Sequence, residues 1–441
     1  MTVSPLDYRY GRQEVKRIFS EDGKLGYMLM VEGALAEAEA EVGIIPKKSA
    51  NVIRKCANTK VVTAEKVKRI EKEINHDVMA MVKELTNASG SSGKFVHLGA
   101  TSNDIIDSAT AIQLRDFIEI LEKDLLELSR SLYDISRKNI DTVMIGRTHG
   151  QHALPITFGL KTSIFLSEMM RHMVRLNELK GRIIVGKFMG AVGTGAALGK
   201  KTIEVQSVLM KKLGIGIEEG PTQIVGRDRY VEYVSAIAGI ATSLEKFATE
   251  IRNLQRPEIG EVQEPFDERK QVGSSTMAQK INPVTSENIV SLARIIRGFV
   301  IPMHESAVLW HERDLTNSAA ERFIIPYVSI LIDDILTKMT KVFRGLKINK
   351  EAMLRNVVND DLILGEAYLM ALVDKGYGRQ EAHEIVRKAS MLARKGEKSL
   401  RESIESMIRD KVTALSPVDY VGNSREIAQG ILDKFEANYI R

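Results

Sequence analysis

LRDFIEILEKDLLELSRSLYDI, residues 114–135, decides the fold class. Leu114, Phe117, Leu121, Leu125, Leu128, Leu132 and Ile135 recur every three or four residues. That spacing lines one face of an α-helix with apolar side chains. Tyr230, Tyr233, Ile237, Ile240, Leu244, Phe247, Ile251 and Leu254 repeat the pattern, and neither stretch contains a proline. Three more long helices are expected at about 155–180, 284–310 and 319–345, the 284–310 helix bent or interrupted at Pro302. A helix of about 30 residues is about 45 Å long, and one chain covers such rods poorly. The reading is an all-α protein whose central bundle of about five long helices packs against copies of itself. The alternative is a monomeric bundle with smaller caps.

The chain has 441 residues, enough for more than one core. Hydrophobic residues make up 44% and charged residues 27%, values ordinary for a water-soluble globular protein. A net charge of +5 demands neither a nucleic acid nor a membrane as partner, and it suits small anionic substrates. Cys56 is the single cysteine, which excludes an internal disulfide and a thiolate zinc cluster and fits a reducing compartment. Residues 1–5 lack a basic-then-apolar signal pattern, and no apolar run approaches the ~20 residues that span a bilayer. A cytoplasmic location is expected. Breaker-rich Asn87–Gly93 marks one boundary, and Gly345 with Asn349 marks another. Three helical domains are expected, at 1–97, 98–345 and 346–441. No internal repeat is visible.

Five segments carry chemistry. Gly273-Ser274-Ser275-Thr276-Met277-Ala278-Gln279-Lys280-Ile281-Asn282-Pro283 combines small residues with a cation, an amide and a helix-starting proline. Its exposed N–H groups can surround an anion, and Lys280 and Asn282 can hold charge left by proton removal. Asn75-His76-Asp77 is a His–Asp pair, structural or functional. Gly99-Ala100-Thr101-Ser102-Asn103-Asp104 reads as a helix cap or as a carboxylate site at a helix N-terminus. Gly146 to Pro155 is a dense polar loop in which His149 is accessible and Pro155 can start the next helix. His149 and His152 are spaced for a metal, but no third ligand is evident, so no metal is expected. Trp310-His311-Glu312-Arg313-Asp314 is followed by Ser318 and Arg322. The arginines and the serine can form a phosphate cradle, or a network of surface ion pairs. Gly190–Ala196 has the wrong spacing and context for a dinucleotide fingerprint.

The Gly273–Pro283 run resembles the signature loop of the aspartase/fumarase superfamily, whose members eliminate fumarate. Taken in order, the segments resemble the adenylosuccinate lyase family over nearly the whole chain. They are joined by Tyr8-Arg9-Tyr10-Gly11, by Thr222-Gln223 and by Arg227-Asp228-Arg229. Two positions depart from the family pattern. Ala278 replaces the usual loop proline, and Gln279 stands where this branch often has His or Tyr. Gln279 is reminiscent of argininosuccinate lyase and keeps that sibling as an alternative, beside a carboxymuconate cycloisomerase and an inert helical oligomer.

The resemblance implies cleavage of adenylosuccinate to AMP and fumarate, and the parallel step on succinyl-aminoimidazole-carboxamide ribotide (SAICAR). Ser274 is then the expected base, with Ser275 as runner-up, and His149 the general acid. His76 and Glu287 would assist by positioning or tuning His149. Lys280 and Asn282 would bind the succinyl carboxylate, and Thr101 and Ser102 the fumarate-side carboxylate. Arg9, Tyr10, Arg313, Ser318 and Arg322 would hold the nucleotide, chiefly its phosphate, with Asp77 among the substrate-binding groups. Gln223 would orient the succinyl group or the base. The resemblance also implies a homotetramer with shared sites and no cofactor.

Overall fold

The computed structural model describes residues 3–267, 269, 275–277, 279–396 and 398–440. Seven helices position the regions discussed below: α1 (Glu21–Glu41), α2 (Asp77–Ala88), α3 (Ser102–Lys138), α4 (Phe158–Ile183), α5 (Asp228–Leu254), α6 (Val284–Gly298) and α7 (Thr316–Gly345). The fold is all-α, organised around α3 to α7. Extended structure among the described residues is confined to short two-stranded pairings, the longest joining β1 (Val143–Thr148) to β2 (Gln151–Thr157).

Both apolar stripes are core. From Leu114 to Ile135 the stripe residues are at most 7% exposed, and from Tyr230 to Leu254 at most 2%. Burial of each such side chain contributes about 1.5–3 kcal/mol, and this burial holds long helices that propensity alone leaves marginal. Helix ends follow local chemistry. Ser20 Oγ accepts from Gly23 N at 3.0 Å to start α1, and Asn349 Oδ1 accepts from Ala352 N at 3.0 Å to start the helix Lys350–Val358. The expected break before Pro302 falls at Phe299, between α6 and the short helix Val300–Glu305. The Pro302 ring opposes the carbonyl four residues earlier, Gly298, where α6 ends. Pro326, by contrast, sits inside α7 without ending it.

Contacts group the chain into two compact units. Unit 1 comprises 1–125, 172–244 and 291–337; unit 2 comprises 126–171, 245–290 and 338–441. Each of the five long helices lends one stretch to each unit. In unit 1, α1 supplies Leu29, Val31 and Leu35 to a core shared with Ile53, Met81, Leu85, Ile112 and Leu209. In unit 2, Phe165 stacks on Phe247 at 4.2 Å, and Phe343 meets both edge-on. A second core there gathers Ile145, Val357, Leu364, Leu372 and Ile404.

The 146–155 segment corrects the sequence reading. It is part of a β-hairpin, not an open loop, and Pro155 starts no helix. Pro155 lies in β2 opposite Ile145, and α4 begins only at Phe158. The register shifts between Ile145 and Arg147, where a Cβ on Gly146 would meet the Leu154 carbonyl oxygen at 2.9 Å. That bulge re-aims the strand end carrying Arg147.

Candidate active site

Unit 1 contains a cleft of about 360 Å³, a volume suited to a small-molecule ligand. Asp77, Arg313, Ser318 and Arg322 all line it. These four came from two segments more than two hundred residues apart, and folding brings them to one cleft. Arg322 Nη2 donates to Asp77 Oδ2 at 2.9 Å. Arg313 Nη1 donates to Gln223 Oε1 at 2.9 Å, and Gln223 Nε2 donates to the Ala191 carbonyl at 3.1 Å. Burial lowers the Arg313 pKa below the usual guanidinium range, with the Arg227 charge acting in the same direction.

The cleft wall has unused polar capacity. Arg313 Nε, Asn103 Nδ2 and Asn317 Oδ1 are buried with no partner among the described residues. Native interiors rarely leave such groups bare, and a bound polar ligand is one way to satisfy them.

Thr101 and Ser102 stand at the N-terminus of α3, beside Asn103. Thr101 is held by Asp104, whose carboxylate accepts from Thr101 N at 2.8 Å, Met189 N at 3.0 Å and Gly190 N at 3.1 Å. Lys187 Nζ also donates to Asp104, and both side chains are fully buried. The glycine-rich stretch that resembled a dinucleotide motif is therefore a backbone strap for this turn. Arg227 is the second buried link. It forks onto Asp107 at 2.9 and 3.0 Å and reaches Glu321 at 2.7 Å.

His76 caps α2, its Nδ1 accepting from Met79 N at 3.3 Å. Arg9 is exposed, with its guanidinium 5.9 Å from the Tyr10 ring centroid. The next residues anchor this turn in unit 1: Gly11 N donates to Asp334 Oδ1 at 3.1 Å, and the Arg12 guanidinium bonds Asp333 and Asp124.

In unit 2, His149 occupies the tip of the β1–β2 hairpin. His149 has φ +53° and Gly150 φ +74°, the positive values that a two-residue type I′ turn requires. His149 is exposed, with no side-chain partner among the described residues. The strand behind it is fastened. Arg147 forks onto buried Glu261 at 2.9 and 2.7 Å, and Asn356 Nδ2 donates to the same carboxylate at 2.9 Å. His152 Nδ1 lies 2.7 Å from Asp360 Oδ2. Among the described residues no three His, Cys, Asp or Glu side chains gather as a metal-ligand set.

Ser274, Gly273 and Ala278 lie outside the described residues. Ser275 and Lys280 are exposed, Asn282 is half-buried, and Glu287 is exposed in the first turn of α6. The start of α6 is held by Glu264, which accepts from Thr285 N at 2.9 Å and from Ser286 N and Oγ at 3.0 and 2.9 Å. A carboxylate at a helix N-terminus also meets the positive end of the helix dipole.

Backbone strain marks the same segments. Among the described residues five non-glycine positions have positive φ: Asn75, His97, His149, His311 and Arg409. Asn75, His149 and His311 fall inside chemistry-bearing segments named from sequence, and His97 lies just before Gly99. Left-handed backbone at such residues costs of order 1–3 kcal/mol and collects where function over-determines geometry.

A family model described as lyase matches residues 7–298, and one described as the adenylosuccinate lyase C-terminus matches residues 361–430. The adenylosuccinate lyase of Pyrococcus abyssi is 48% identical, over 99% of this chain and 98% of that protein. That of Archaeoglobus fulgidus is 45% identical, over 98% of each. The chain belongs to the adenylosuccinate lyase family. Among solved structures, a fumarate lyase from Mesorhizobium sp. BNC1 superposes with a TM-score of 0.88 at 31% identity, over 96% of this chain and 98% of that one. A 3-carboxy-cis,cis-muconate lactonizing enzyme from Pseudomonas putida also scores 0.88, at 29% identity over 99% of both chains.

Within this family member, sequence reasoning overlooked Lys24, Arg227 as a buried link, Glu261 and Glu264. Lys24 had a readable signal. It precedes Met28, Val31 and Leu35 on one helical face, a lysine in an apolar stripe. Glu261 and Glu264 had none, because their partners are remote or main-chain groups. No described helix is long and apolar enough to cross a membrane.

Proposed function

We propose that the chain cleaves adenylosuccinate into AMP and fumarate, and releases fumarate from SAICAR by the same β-elimination, as a cytoplasmic homotetramer with shared sites. The observation that carries this reading is the unit 1 cleft. Arg313, Ser318 and Arg322 all line it, a donor set matched to phosphate oxygens. Family membership supports the reaction class.

In the reaction, Ser274 removes a proton from the carbon beside a succinyl carboxylate. The electron pair forms the fumarate double bond as the carbon–nitrogen bond breaks, and His149 protonates the departing nitrogen. Lys280 and Asn282 stabilise the negative charge that develops on the carboxylate. Its exposure, with no side-chain partner among the described residues, suits His149 to an acid that must exchange protons each cycle. His76, a helix cap, acts by positioning, and Glu287 tunes the proton transfer. Thr101 and Ser102 take the fumarate-side carboxylate, while Arg9, Tyr10 and Asp77 complete the nucleotide site. The segments 1–97, 98–345 and 346–441 serve as the three domains of each protomer.

The test is a direct assay with adenylosuccinate and, separately, argininosuccinate. Turnover of adenylosuccinate alone, abolished in Ser274→Ala and His149→Ala, is expected. Turnover of argininosuccinate instead would transfer the weight to Gln279 and overturn the phosphate cradle. Mixing the two inactive variants should restore part of the activity if sites are shared, and verified mixed tetramers without activity would argue against sharing.

A further inference from the structure

Lys24 lines the same cleft as Asp77, Arg313, Ser318 and Arg322, and among the described residues no carboxylate forms a direct ion pair with it. Its position follows from helix geometry. On α1, residues 24, 28, 31 and 35 share one face, and Met28, Val31 and Leu35 are 9%, 0% and 1% exposed.

Most carboxylates of the cleft are engaged elsewhere. Glu21 bonds Lys68, Asp77 bonds Arg322, and Glu321 bonds Arg227. Glu71 also lines the cleft but forms no ion pair with Lys24. No side-chain hydrogen bond or ion pair joins Lys24 to any described residue. Burial, followed by the nearby Arg322 charge, pulls the Lys24 ammonium below the usual lysine range, against the opposing pull of Asp77, Glu321 and Glu71. Arg313, also on the cleft, has a buried Nε with no partner among the described residues. A partly dehydrated ammonium near the Arg322 guanidinium favours the arrival of an anion. A site with several such cations suits a group carrying more than one negative charge, such as a phosphate monoester.

We propose that Lys24 is a further substrate-binding residue, supplying charge to the phosphate monoester of the nucleotide together with Arg313 and Arg322. The inference rests on the reading given under Proposed function and adds a residue to it. It predicts a sign that a structural lysine would not produce. Removing a half-buried ammonium that makes no direct ion pair among the described residues should leave the ligand-free protein as stable as before, or more so, while weakening ligand binding.

The experiment uses the full-length protein in its native assembly. Thermal unfolding is followed for wild type, Lys24→Met and Lys24→Arg, each alone and with AMP, inorganic phosphate or fumarate, and steady-state kinetics are measured in parallel. For Lys24→Met we expect an unchanged or raised ligand-free Tm, loss of most AMP-induced stabilisation and AMP inhibition weakened about 10- to 100-fold, the size of a lost charged hydrogen bond. The adenylosuccinate KM should rise with it, and Lys24→Arg should recover much of the binding. The proposal is overturned if Lys24→Met binds AMP like wild type, if its ligand-free Tm falls while AMP binding persists, or if only fumarate binding is lost. A wild type that fails to cleave adenylosuccinate yet gains Lys24-dependent stability from inorganic phosphate would overturn the enzymatic reading and keep this one.

Discussion

The cleft of unit 1 and the hairpin region of unit 2 hold their polar side chains in different ways. Around the cleft, Arg322 is tied to Asp77, Arg313 to Gln223, and Arg227 to Asp107 and Glu321. In unit 2 the frame is fastened, through Arg147 and Glu261, but the tip residue His149 is exposed and unpartnered among the described residues. The contrast matches two chemical tasks. Groups that recognise a ligand gain from being ordered in advance, because binding then costs less entropy. A group that passes protons must be reachable, and its hydrogen bonds tighten only when substrate is present.

The sharpest break of this comparison is kinetic. His149→Asn should lower kcat about 10²- to 10⁴-fold while KM stays within a few-fold. Arg322→Met should instead raise KM with a smaller change in kcat. Steady-state kinetics on both variants check this, and equal loss of kcat in the two would erase the distinction. The next effect is on stability. Arg227→Met strands the buried Asp107 carboxylate and should cost about 3–5 kcal/mol in denaturant unfolding. A far smaller loss would mean that this network is not what fastens the cleft.

A third prediction compares buried acids. Glu264 in unit 2 is nearly buried and accepts three hydrogen bonds. Glu39 in unit 1 is fully buried with both oxygens unpartnered, and burial, helped by Glu32, raises its pKa from 4.5 to about 9. Between those values the folded state keeps a proton that the unfolded state releases. Stability from this group is therefore complete below about pH 4.5 and declines as pH rises toward 9. Glu39→Gln should remove the decline and stabilise the protein at pH 8 by on the order of a few kcal/mol. Unfolding midpoints measured from pH 5 to pH 9 test it, and parallel curves for variant and wild type would refute it. The smallest effect belongs to His152, an anchor to Asp360 on the hairpin. His152→Ala should lower kcat less than about fivefold, and a loss as large as that of His149→Asn would make it part of the proton-transfer chemistry.

The sequence carried the helical architecture because a repeated apolar period is a local signal that burial then amplifies. The stripe from Leu114 to Ile135 reads directly as a buried helix face. Chemistry-bearing segments were also legible, since Gly, His, Asn and Ser clusters interrupt that period. Their local shape was less so. The 146–155 hairpin was hidden because strand pairing depends on a partner and a register, and Pro155 read alone resembles a helix start.

By itself, then, the sequence determined the all-α class, the family and the residue types available for an elimination. The tertiary structure decided which of them meet. Asp77 joins Arg322 across 245 residues, Arg147 finds Glu261, and Lys24 comes to line the same cleft as Arg313 and Arg322. Such pairings depend on how helices pack in three dimensions, and a one-dimensional period contains no term for charge meeting charge across that distance.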